Sequence, residues 1–152
     1  MTQETFEAEV IRLTPDLYRV SHALLSRLAD RQDAVQNAIL KAWQHKDRLR
    51  EESKFKSFLL KVLTNECRSL LRKTRHEAFV PIPDIGASLP DASLREAIGN
   101  LPVKLRAAFV LHYVEGASEE EAAFILGIPK GTVKSRLNRA RLLLRQALSE
   151  EV

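Results

Sequence analysis

Residues 116–146, GASEEEAAFILGIPKGTVKSRLNRARLLLRQ, decide the fold. Ser118 followed by Glu121 is the capping-box spacing, so a helix is expected at about residues 119–126, with Ala122, Ala123 and Leu126 turned inward. Gly127 stops it, and Ile128-Pro129 restarts the chain into a longer helix expected over about residues 130–148. Two helices joined by so short a turn form a helix-turn-helix, whose second helix enters the major groove of DNA.

The second helix has two chemically distinct sides. Val133, Leu137, Ala140 and Leu144 recur at helical spacing and face a core, while Lys130, Lys134, Arg141 and Arg145 line one exposed flank. Thr132, Ser135, Asn138 and Arg139 occupy the remaining outer surface. The bases Lys130, Lys134, Arg136, Arg139, Arg141 and Arg145 are interrupted by no acid. A single-signed row suits a polyanion, because a solvated face ordinarily mixes signs. The helix N-terminus adds free N–H groups and partial positive charge, and Gly131 permits close approach of a sugar-phosphate backbone. Base reading is therefore assigned to Lys134, Ser135 and Arg139, and phosphate positioning to Lys130, Thr132, Arg136 and Arg141. Arg136 lies nearer the core side, which leaves open a role in tying the helix to its neighbour.

Upstream, residues 93–99 form a short helix, and Leu101-Pro102 opens another that runs to Val114 and ends at Gly116. Before these lies a helix-breaking segment, residues 77–93, with Pro81, Pro83, Pro90 and Gly86. Its charges are Glu77, Asp84 and Asp91, so it is expected to be a flexible acidic tether between two folding units, residues 1–76 and 94–152.

The first unit reads as helices at about residues 5–13, 15–28, 30–46 and 53–75. In the third, Ala34, Val35, Ala38, Ile39, Ala42 and Trp43 form a narrow apolar stripe, and Asp30 is its expected N-cap. Asp33, Gln36, Leu40 and Lys41 lie on the other side; Leu40 there is either an ordinary exposed apolar residue or a partner contact. In the fourth, Phe55, Leu59, Val62, Leu63 and Leu70 make the apolar face, and Lys54, Lys61, Asn65, Arg68, Arg72 and Arg75 fall in one sector without an acid. That row either binds a polyanion or is simply a basic surface.

Composition agrees with an all-α protein: 45% of residues are hydrophobic but only 6% aromatic, with 5 Gly and 6 Pro. The net charge of +4 is a mild excess, so placement rather than amount carries the nucleic-acid reading. No apolar run is long enough to span a bilayer and the first ten residues do not resemble a secretion signal, so a cytoplasmic protein without membrane insertion is expected. The single cysteine, Cys67, reads as a packing residue, and no spacing suggests a metal site. His22, His45, His76 and His112 are scattered and no catalytic set is in view, so neither catalysis, a cofactor nor a small-molecule substrate is expected.

The string Gly131-Thr132-Val133-Lys134-Ser135-Arg136-Leu137 with Arg139-Ala140-Arg141, preceded by Leu101-Pro102, Tyr113, Glu115-Gly116 and Ile125-Leu126-Gly127-Ile128, closely resembles region 4 of extracytoplasmic-function sigma factors. Leu17-Tyr18-Arg19, Asp33-Ala34-Val35-Gln36, Leu40-Lys41-Ala42-Trp43, Asn65 and Arg72-Lys73 resemble region 2 of the same family. Phe58-Leu59 stands where the family often has Trp-Leu, Ser69 where it often has an acid, and Gln32 where it usually has Glu. The resemblance implies a promoter-specificity subunit of bacterial RNA polymerase, with the core's clamp helices and flap, promoter DNA and an anti-sigma factor as partners. It implies that Asp33, Gln36 and Leu40 touch polymerase, that Trp43 occupies a family position although its stripe favours packing, and that residues 130–141 read the minus-thirty-five element. The loop around residues 46–53 and the row Lys54, Lys61, Asn65, Arg68, Arg72, Lys73 and Arg75 would recognise and open the minus-ten element. Residues 47–52 contain no aromatic side chain on which an unpaired base could stack. Two other readings stay open at this point: a stand-alone helix-turn-helix regulator, and a sigma-like decoy that binds an anti-sigma protein.

Overall fold

The structure, a computed structural model, describes residues 1–74 and 92–149. Seven α-helices follow in order among them: α1 (Gln3–Leu24), α2 (Leu28–Gln44), α3 (Phe55–Thr74), α4 (Ala92–Gly99), α5 (Val103–Phe109), α6 (Glu119–Leu126) and α7 (Lys130–Ser149). Short 3-10 turns at Lys46–Arg48 and Glu52–Lys54 lead into α3, and a π-turn at Val110–Val114 extends α5. Of the expected tether, residues 77–91 lie outside the described residues, and Ala92 and Ser93 belong to α4.

Two local expectations are corrected. The predicted break before Pro15 does not occur, and α1 runs straight through it. Pro15 removes one N–H and leaves the carbonyl of Ile11 without its helical donor, but both residues are exposed, where water can serve that carbonyl. The Thr14 hydroxyl meanwhile donates to Val10 O at 2.7 Å. Helix α2 starts two residues before Asp30, with Arg27 as a cap that supplies no side-chain bond. Arg31 instead fastens the entry, its guanidinium donating to the carbonyls of Leu25 and Ser26, each at 2.9 Å. Asp30 then lies in the first turn, where a carboxylate complements the helix dipole.

Helices α1, α2 and α3 pack around Leu13, Leu17, Ala34, Ala38, Leu59 and Leu63, all essentially inaccessible. Phe6 closes one end edge-on against Trp43 and Phe55, with ring centroids 5.1 and 5.5 Å away. In the second half, Ile98, Leu101, Val110, Ala140 and Leu144 join α4 and α5 to α7. The halves do not stand apart, however: Ile125, Leu126, Val133 and Leu137 belong to the same apolar cluster as Leu59, Leu60, Leu63 and Cys67. Helix α6 lies on α3, and α5 lies on α1. Arg106 of α5 is buried between the halves, donating to Ala23 O and, at 2.9 Å, to the carbonyls of Gly99 and Leu101. Burial pushes its pKa down to about 10.

Because Leu137 is fully buried in the shared cluster, Leu137→Ala should destabilise the chain by about 2–5 kcal/mol, read as a lowered urea midpoint.

Candidate nucleic-acid and polymerase interfaces

The helix-turn-helix forms through local chemistry. The Ser118 hydroxyl accepts from the Glu121 N–H at 3.0 Å, and the Glu121 carboxylate accepts from the Ser118 N–H at 3.0 Å. That backbone bond holds the Glu121 carboxyl below its ordinary pKa. At the other end, Gly127 takes φ 65°, the left-handed conformation glycine adopts without steric cost. Ile128 N–H donates to Ala123 O at 3.1 Å and Gly127 N–H to Phe124 O at 3.3 Å, which is a Schellman closure.

Helix α7 carries Lys130, Gly131, Lys134, Ser135, Asn138, Arg139 and Arg145 on its exposed side, with Thr132, Arg136 and Arg141 half-buried. Lys134 and Arg139 stand clear in solvent. Lys130 pairs with Glu120 at 3.2 Å, and the Ser135 hydroxyl donates to Gly131 O at 2.9 Å, leaving its oxygen free to accept. Arg141 is braced, donating to Tyr113 Oη at 2.6 Å and to Asn138 Oδ1. Tyr113 and Asn138 therefore enter the site as positioning groups, which sequence spacing did not assign. Arg136 turns toward the first half, as its core-side position allows.

The basic row on α3 is split. Lys54, Asn65, Arg72 and Lys73 are exposed, whereas Arg75 lies outside the described residues. Lys61 and Arg68 do not present themselves to solvent as the row predicts. Lys61 Nζ donates to Phe124 O at 2.9 Å, the Thr64 hydroxyl to Ile125 O at 3.1 Å, and Arg68 to Leu126 O. These are the last carbonyls of α6 and carry its partial negative charge; those of Ile125 and Leu126 have no partner within their own helix, whereas that of Phe124 already accepts from the Gly127 N–H. Below them a groove of about 550 Å³ gathers Arg68, Arg72, Lys104 and Arg136 over Leu71, Val103 and Ile128. Burial depresses the Arg68 pKa, and the charges of Arg136 and Arg72 add to the effect.

The loop before α3 faces the second half as well. A groove of about 550 Å³ runs between Arg48, Arg50 and Lys54 on one wall and Ser118, Glu120 and Glu121 on the other. Phe58 and Phe124 line it, so aromatic surface that residues 47–52 lack is supplied from outside the loop. Lys61 Nζ also lies 4.9 Å from the centre of the Phe124 ring. On α2, Asp33, Gln36 and Leu40 are exposed, Leu40 by 56%. A third groove, about 490 Å³, places Gln3 and Glu7 of α1 next to Gln36, Ile39 and Leu40. Trp43 is half-buried on Phe6, with Lys46 Nζ 3.7 Å above its ring, and serves packing.

Two regions of the chain match sigma-factor family models: residues 10–77 match Sigma-70 region 2, and residues 91–144 match Sigma-70, region 4. The chain is 33% identical over 147 residues to the ECF RNA polymerase sigma factor SigM of Mycobacterium tuberculosis, covering 87% of this chain and 75% of that protein. It is 34% identical over 149 residues to the ECF RNA polymerase sigma factor EcfG of Rhodopseudomonas palustris, covering 91% and 82%. This chain belongs to the ECF RNA polymerase sigma factor family. Its function is that of a sigma factor, with RNA polymerase and promoter DNA as partners. Among solved structures, the sigma factor RpoE in complex with the anti-sigma factor NepR from Bartonella quintana superposes with a TM-score of 0.79 at 31% identity, covering 96% of this chain and 98% of that one. CnrH in complex with the cytosolic domain of CnrY superposes with a TM-score of 0.75 at 27% identity, covering 99% and 92%.

Among the described residues no group of His, Cys, Asp and Glu is arranged to hold a metal, and no helix is long and apolar enough to cross a membrane. Cys67 is fully buried, and burial pushes its thiol up to about 12. Its thiolate should therefore be absent at pH 8, and a disulfide-exchange reagent should label it only when the chain is unfolded in urea.

Proposed function

We propose that the exposed face of α7 reads the minus-thirty-five element, with Lys134, Ser135 and Arg139 on base edges, Lys130, Gly131, Thr132 and Arg141 along the phosphates, and Arg136 joining them once it is released from the seam with the first half. The observation that carries this is the pair of unpartnered cations Lys134 and Arg139 on the outer side of a closed helix-turn-helix. Arg141, held by Tyr113 and Asn138, has its fork fixed before DNA arrives, which lowers the ordering cost of a phosphate contact.

Residues 1–76 serve as the region 2 unit, 94–152 as the region 4 unit and 77–93 as the tether in this reading. Asp33, Gln36 and Leu40 dock on the polymerase clamp; their face is uncovered in the closed chain, so docking does not wait for the halves to part. The row Lys54, Lys61, Asn65, Arg68, Arg72, Lys73 and Arg75 engages the minus-ten element together with the loop at residues 46–53. Since Lys61 and Arg68 are bonded to α6, that engagement requires α6 to leave α3. The protein works in the cytoplasm, without catalysis, and takes an anti-sigma factor as a further partner; the similar RpoE and CnrH chains were each solved with such a partner or its cytosolic domain.

The deciding experiment is transcription in vitro with core polymerase over a genomic fragment library. Initiation at a small set of promoters is expected, and DNA binding without any stimulation of core would overturn the reading. On the promoter so found, Arg139→Ala should cost about 1–3 kcal/mol of discrimination between matched and mismatched upstream elements. An equal loss on every sequence would make Arg139 a phosphate contact. Leu40→Ala should weaken association with core, measured by fluorescence anisotropy, while leaving upstream duplex binding unchanged.

A further inference from the structure

We propose that the ionic node of Asp16, Arg19, Lys56 and Glu115 is a latch that keeps the region 2 half closed on the region 4 half, so that breaking it frees the promoter-opening face of α3. The proposal rests on the assignment of that face made above. Glu115 lies just after the π-turn, its N–H donating to Val110 O at 3.0 Å, and its carboxylate is fully buried. Its cationic partners come from the other half of the chain. Arg19 of α1 grips it with both edges of the guanidinium, Nε to Oε2 at 2.8 Å and Nη2 to Oε1 at 3.2 Å. Lys56 of α3 lies 3.9 Å from the carboxylate and donates to the backbone carbonyl of Glu115 at 3.3 Å. Asp16 completes the node, 2.7 Å from Arg19 and 3.4 Å from Lys56.

Two acids and two bases leave the node neutral, and none of the four is among the DNA or polymerase contacts. Their chemistry is spent on joining the halves. Apolar contact along the seam is non-directional and tolerates sliding, but a buried carboxylate tolerates only the arrangement that pairs it. Burial raises the Glu115 pKa and the neighbouring Asp16 carboxylate adds to the rise, while the fork from Arg19 opposes it. The far end of the seam has the opposite character, since Arg68, Arg72, Lys104 and Arg136 gather there with no acid lining their groove. Repulsion among those cations favours opening, and the node favours closure. The equilibrium between the two forms is therefore set by a few charged groups.

The test uses the full chain with a donor and an acceptor dye at Gln44→Cys and Gln146→Cys, both exposed positions on opposite halves, while buried Cys67 stays unlabelled. Arg19→Ala and Glu115→Gln should each lower energy transfer. They should also raise the affinity of the free chain for a short mixed-sequence single-stranded DNA by about tenfold or more. Arg19→Lys keeps the charge but loses the fork, so it should fall between them and the wild type. Circular dichroism identifies any variant that has not folded, in which case Arg19→Lys decides. Unchanged energy transfer in folded Arg19→Ala and Glu115→Gln overturns the latch. Dyes that separate without a gain in DNA binding uphold the latch and remove the α3 row from the minus-ten site.

Discussion

The carbonyls that end α6 govern how the rest of the molecule is arranged. Phe124, Ile125 and Leu126 finish a helix of eight residues, and the oxygens of the last two have no amide left to bond within it. Gly127 turns the chain so sharply that the Schellman closure uses the amides of residues 127 and 128 on the carbonyls of Phe124 and Ala123. The last two oxygens must be served from elsewhere, and Thr64 and Arg68 of α3 serve them, while Lys61 gives Phe124 O a second donor. Docking α3 there brings Leu60, Leu63 and Cys67 against Ile125, Leu126 and Leu137, so polar satisfaction and apolar burial select the same pose.

Local rules recovered what local chemistry decides. Ser118 and Glu121 announced a helix start because a capping box needs only four consecutive residues, and Gly127 announced a stop because its φ suits glycine. The core stripe Val133, Leu137, Ala140 and Leu144 followed from helical period and is buried as expected. Pro15 misled because a proline breaks a helix only where the lost bond cannot be replaced, and solvent exposure is not written in the residue itself. Asp30 misled for a similar reason: Arg31, one position on, took over the cap by bonding backward to Leu25 and Ser26.

What spacing could not supply was any contact between distant segments. A basic row reads identically whether its partner is a phosphate or a carbonyl, and Lys61 and Phe124 are 63 positions apart. Glu115 stood in the sequence only as part of a family motif, and nothing local indicated that its partner Arg19 lies 96 positions away. Arg106 is the third case, a buried cation whose acceptors are three backbone carbonyls in two other segments. The exposed face of α7 was legible from its own pattern; the inward side of the seam was not.

The double use proposed for Lys61 and Arg68 rests on the kinship of their two acceptors. A helix C-terminus offers partial negative charge, worth about 0.3–1 kcal/mol to a nearby cation. A nucleic-acid backbone offers full charges at regular spacing, and each contact also releases condensed counterions. On that proposal the same side chain satisfies α6 when DNA is absent and is drawn away when phosphates are presented. The apolar contact of Leu60, Leu63 and Cys67 with Ile125, Leu126 and Leu137 gives no such exchange and opposes the parting of α6 from α3. Covering cations with carbonyls gives Lys61 and Arg68 each a hydrogen bond in the closed form, yet leaves α6 the weaker electrostatic partner. The closed chain can thus be stable alone and still give way at a promoter, with the Arg19–Glu115 pair setting how readily it does so.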